Sequence, residues 1–163
     1  MLIRILQGTP VWVWALLALL VVVGLSHAKP RRMSARRVMI VPGVMLALSL
    51  AGVASTFGAR PLALAAWVAG IALAITLGRD AVAPRGARWA RETARFELPG
   101  SWLPMGLILG LFCIKYGVGV SLAMTPALAA NTPFEVAIAF AYGAFSGLFA
   151  ARAIALRRLV VRG

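Results

Sequence analysis

Five stretches of the chain are apolar almost without interruption, and short polar segments separate them. They lie near residues 10–26, 38–55, 61–78, 102–124 and 134–156. Each is close to the length that a helix needs to cross a bilayer. In hydrocarbon only a helix or a closed barrel satisfies its own backbone hydrogen bonds. The pattern therefore predicts an all-α fold, one transmembrane bundle of five helices in a single domain over residues 1–163.

Local signals mark where these helices begin. Thr9-Pro10 predicts a hydroxyl cap followed by a proline suited to a first turn. Trp12 and Trp14 then suit the headgroup level. Ser26-His27-Ala28 resembles a signal-peptidase site, but Lys29, Arg31, Arg32, Arg36 and Arg37 follow at once and oppose export. Pro42 either starts the second helix or kinks it, and Pro61 opens the third. The third is rich in small residues (Ala65, Ala66, Ala69, Gly70), which suits close packing. Thr132-Pro133-Phe134-Glu135 has the form of a capping box, with Thr132 as cap and Glu135 three residues on.

The one long polar stretch is 79–98, expected as a solvated or interfacial loop. After Pro84 and Gly86, the run 87–96 suits a short helix with Trp89 and Phe96 at the membrane surface. On such a helix Arg88–Glu92 is a favourable spacing and Arg91–Arg95 an unfavourable one.

Composition agrees with a membrane class. Of 163 residues 62% are hydrophobic and only 13% charged, against roughly 25% charged in soluble domains. The net charge of +13 would suggest nucleic acid in a soluble chain, yet no nucleic-acid motif is present. The charges are distributed instead by side. Fourteen of the 17 basic residues fall in the loops after helices one and three and at the C-terminal end, Arg152 included. Arg4 and Arg60 fall on the opposite side, and Lys115 lies within the fourth stretch. Positive residues stay inside, so the N-terminus is expected outside and the C-terminus in the cytoplasm. The basic face would meet anionic lipids, and Arg152 is expected to reach their phosphate.

Lys115 is the one charge inside an otherwise apolar helix, at an insertion cost of roughly 2.5–3.5 kcal/mol. It either snorkels to the outer interface or lines a polar cavity. Antiparallel pairing of helices four and five would set it level with Tyr142 and Gly143. Gly106-x-x-x-Gly110 and Gly143-x-x-x-Gly147 would allow that pair to approach closely. The candidate intramembrane polar site is Lys115, Tyr116, Tyr142, Ser146 and Glu135. Glu135, the only acid outside 79–98, lies about two turns further out, so an ion pair with Lys115 needs the lysine to stretch. Cys113 is expected to act as a small apolar residue. Helices two to five also show a weak two-fold pattern, with a basic loop, an early proline and a proline-opened return in each half.

Nothing in the chain resembles a catalytic constellation, so no catalytic residue, metal site or cofactor is expected. Pro99-Gly100-Ser101-Trp102-Leu103-Pro104, followed by Phe112, Lys115-Tyr116 and Gly119, resembles a family of small uncharacterised proteobacterial inner-membrane proteins. The resemblance covers most of the chain, from Gly8-Thr9-Pro10 onward, and implies a multi-span inner-membrane protein with no established activity. Two functions remain open. One is a non-enzymatic accessory or assembly component working with a membrane-protein partner. The other is a small transporter or channel, a homo-oligomer with Lys115 lining its cavity.

Overall fold

The structure is a computed structural model; it describes residues 10–90 and 92–162, with side chains to residue 160. Arg4, Gly8, Thr9 and Arg91, which the sequence reading used, lie outside the described residues. Five helices, α1 (Val11–Ala28), α2 (Ala35–Phe57), α3 (Pro61–Gly78), α4 (Leu103–Met124) and α5 (Thr132–Arg162), form most of the protein. All five are long and apolar enough to cross a membrane. Pro10 stands at the cap position just ahead of α1. Pro42 lies well inside α2, which begins earlier than the hydropathy pattern suggested. Asn131, not Thr132, caps α5: its Oδ1 accepts from the Phe134 N–H at 3.0 Å.

The polar stretches are not merely loops. Arg31–Ser34 (β1), Arg88–Ala90 (β2) and Arg95–Leu98 (β3) form an antiparallel sheet in the order β1-β3-β2. In place of the loop expected over 79–98, or the short helix that 87–96 would suit, β2 and β3 form a hairpin, and the helical Arg88–Glu92 spacing does not arise. The reason is alternation: in Arg95-Phe96-Glu97-Leu98 successive side chains take opposite faces. Phe96 and Leu98 are buried. They join Val38, Ala153 and Leu156 in a cluster that also takes in Met33 and Trp89. The Trp89 and Phe96 rings, paired across strands, lie 4.7 Å apart. On the other face Arg32 pairs with Glu97 at 2.8 Å, directly across β1–β3.

The helices alternate in direction, so the turn after α2 and the 3-10 turn Pro126–Ala130 lie at the end opposite the sheet. Their packing departs from the expected α4–α5 pairing. The principal contact of α5 is with α3, then with α2, while α4 packs chiefly with α1. A side-chain carbon on Gly143 would strike the Trp67 carbonyl, and one on Gly70 would strike the Phe140 carbonyl. The contacts advance together along both helices, Trp67 against Gly143 and then Ile71 and Ala74 against Gly147, so α3 and α5 are a parallel pair. Gly143 and Gly147 thus serve α3, Gly110 faces the Phe145 ring, and Gly106 meets nothing. At the sheet end the Ser101 N–H donates to the His27 carbonyl at 3.0 Å, tying α1 to the segment before α4.

Candidate functional site

Halfway along the bundle, four helices bring polar groups together. From α4 the Lys115 side chain reaches across to α5, and its Nζ lies 5.5 Å from the centroid of the Tyr142 ring. Such a contact between an ammonium and an aromatic face is worth about 0.5–2 kcal/mol, the more so when water is excluded. Gly52 of α2 makes the room. A Cβ there would come within 3.1 Å of Lys115 Nζ and 3.2 Å of Tyr142 Cε2. Tyr142 is 3% exposed, whereas Lys115 stands among the exposed residues of α4. The lysine stem therefore lies on the bundle surface while its amine turns inward.

One turn along α5, Ser146 is fully buried. Its hydroxyl donates to the Met45 carbonyl of α2 at 3.3 Å. Ser49, also fully buried, accepts from Trp67 Nε1 at 3.1 Å and donates to the Leu46 carbonyl at 3.0 Å. These bonds bind α2 to α3 and α5 without leaving the serine hydroxyls unmatched. A buried polar group is tolerated only on those terms.

The proposed site residues divide into three places. Lys115 and Tyr142 meet, with Ser146 a turn away. Tyr116 lies elsewhere on α4, its ring stacked on Phe112 at 6.2 Å and 8°. Glu135 does not reach Lys115: its Oε2 pairs with Arg60 Nη1 at 3.0 Å. The carboxylate is 2% exposed, and its Oε1 has no hydrogen-bond partner among the described residues. Arg60 is thus the partner that sequence reasoning missed. The signal was present, since Arg60 opens α3 and Glu135 opens α5 at the same end of the bundle. Gly52, Ser49 and Trp67 carried no such signal, being small or apolar residues within apolar runs.

This arrangement offers positive charge beside an aromatic face, hydroxyls already committed to carbonyls, and an ion pair buried only on its carboxylate side. Among the described residues no three His, Cys, Asp or Glu side chains converge on a possible metal position. Cys113 is exposed on α4.

Neither the curated proteins nor the solved structures contain a match to this chain. A family model does match, from residue 1 to 162. By that match over nearly its whole length, the chain belongs to DUF6622, a family of unknown function.

Proposed function

We propose that the protein is a multi-pass component of the bacterial inner membrane, a non-enzymatic accessory or assembly subunit held by helix packing. Its N-terminus faces outward and its C-terminus the cytoplasm. Five apolar helices support insertion. Among the described residues the basic ones gather at the sheet end, with Arg60 at the opposite end, which supports the orientation.

The observation that carries the accessory reading is the state of the polar groups inside the bundle. Ser49 is matched with Trp67, Ser146 with the Met45 carbonyl and Glu135, through one of its two oxygens, with Arg60. A solute path needs polar groups that face a lumen, and these groups are turned to one another. Function then rests on surfaces, where a membrane-protein partner or a second copy packs.

The exposed stem of Lys115 favours one alternative. In a symmetric homo-oligomer with α4 facing a common axis, Lys115 would line a shared polar cavity of a small transporter or channel.

Topology is tested by reporter fusions after residue 90. A cytoplasm-active enzyme should work there, and activity of a periplasm-dependent one at that position overturns the orientation. Mass measurement of the protein purified in mild detergent separates the functional readings. Co-purification of a distinct membrane protein in fixed ratio supports the accessory role. A closed ring of identical subunits supports the transporter.

A further inference from the structure

Where α1, α2, α4, α5 and the sheet come together, a cleft opens among His27, Arg31, Val41, Pro104, Phe149 and Arg152, with further apolar side chains around them. Among the described residues no acidic one lines it. Its cations are unlike the other basic residues at this end. The pleat sends Arg32 outward to its salt bridge with Glu97. It sends Arg31 inward, on the face shared with Met33, Phe96 and Leu98. An arginine at an inward position of an alternating strand breaks the local pattern, and such breaks concentrate at functional positions. Among the described residues Arg31 has no ion pair. Burial holds its guanidinium below the ordinary arginine pKa. Arg152 is anchored at one nitrogen only, Nη1 donating to the Val82 carbonyl at 3.2 Å. His27 Nδ1 donates to the Val23 carbonyl at 2.7 Å.

The level of the cleft points to its occupant. From Thr132 to Arg152 the helical rise of 1.5 Å per residue gives about 30 Å. That is the thickness of the hydrocarbon core. Arg152 therefore sits at headgroup depth when the opposite end of α5 sits at the other boundary. Two guanidiniums suit phosphate oxygens, which arginine holds in a planar fork. The apolar wall formed by Val41, Pro104 and Phe149 suits a hydrocarbon chain and offers nothing to a free, fully hydrated anion.

We infer that this cleft is a binding site for an anionic phospholipid, its phosphate held between Arg31 and Arg152 and its acyl chain against Val41 and Phe149. The inference rests on the membrane reading above and names the lipid partner of its basic face.

The test is native mass spectrometry of the delipidated full chain in detergent, titrated with dioleoyl phosphatidylglycerol and, separately, dioleoyl phosphatidylcholine. One saturable phosphatidylglycerol adduct is expected, with phosphatidylcholine much weaker. Arg31→Gln should weaken that adduct about tenfold, as loss of one charge-assisted contact implies. Arg32→Gln, on the outward face, should leave it unchanged. Arg152→Gln should act like Arg31→Gln, but it also removes the tie to Val82. Arg31→Gln, checked for unchanged helix content, therefore decides. Adducts that do not saturate, or that weaken equally in Arg31→Gln and Arg32→Gln, overturn the site. Displacement of the lipid by millimolar glycerol phosphate or inorganic phosphate also overturns it, since the ligand would then be a free phosphate. A carbonate wash distinguishes the two readings. Release of the chain from the membrane fraction refutes insertion itself, whereas retention without a specific adduct refutes only the lipid site.

Discussion

The Lys115 ammonium nitrogen stands over the face of the Tyr142 ring, 5.5 Å from its centre. Two opposing terms meet there. Removing an amine from water is costly, while the ring and a neighbouring surface stem offset part of that cost. Lys115→Met removes the charge and its desolvation together, so the fold should persist with a Tm equal to or above that of the parent. Tyr142→Leu leaves the amine without its ring and should destabilise by about 1–2 kcal/mol. Thermal unfolding in detergent checks both, and the double variant should recover most of the loss from Tyr142→Leu. If Lys115→Met keeps the Tm but abolishes partner or subunit association, the lysine is a site. If association also survives, its role is structural.

Two glycines of the same spacing motif family should behave in opposite ways. Gly143 lies against the Trp67 carbonyl, so Gly143→Ala must push α3 and α5 apart. The expected loss is about 2–3 kcal/mol, the range of overpacked interiors. Gly106 has nothing within 4 Å of an added Cβ. Gly106→Ala should be neutral or stabilise α4 by up to about 1 kcal/mol through helix propensity. A comparable loss in both variants would contradict the parallel α3–α5 contact.

The five helices were legible because length and hydropathy alone define a spanning segment. Which helix touches which was not. In a soluble bundle the buried face is the apolar one, and periodicity reveals it. Here the outward faces are at least as apolar: Trp12, Val22 and Leu48 are more than half exposed, whereas Ser49 and Ser146 are fully buried. An apolar stripe therefore gives no direction. Lys115 and Tyr142 were placed together by counting residues from the α4–α5 turn, and the level was right although the helix pair was not the tightest one. The sheet escaped notice because its strands are three or four residues long. So few positions do not distinguish alternation from a turn of amphipathic helix.

The Arg60–Glu135 pair makes an asymmetric prediction. Arg60 is 52% exposed at its side chain and Glu135 only 3%. Arg60→Ala leaves a buried carboxylate unpaired and should destabilise by about 1–3 kcal/mol. Glu135→Gln leaves an arginine free to turn to solvent and should be the milder change. Denaturation of the two single variants and the double variant measures the coupling. Equal effects from both singles would show that the carboxylate is less enclosed than its exposure indicates.

Trp67→Phe keeps an aromatic ring but loses part of the indole volume and the donor to Ser49. The expected cost is at least about 1 kcal/mol, the net worth of one hydrogen bond, with the lost packing added to it. Ser49→Ala combined with it should add little, because the two share that bond. Independent, additive losses would place the stabilisation in packing instead.

The sheet that joins β1 to β3 also sets an order of synthesis. β1 leaves the ribosome directly after α1, but its partner strand follows only when α2 and α3 have been made. Helix α1 waits longer still, because its chief packing partner is α4. Until then β1 presents an unpaired edge, and α1 lacks its chief packing partner. A chain that stalls before residue 95 therefore displays an open strand beside a loosely held first helix. The open edge and the unpacked helix are surfaces that a finished copy no longer shows.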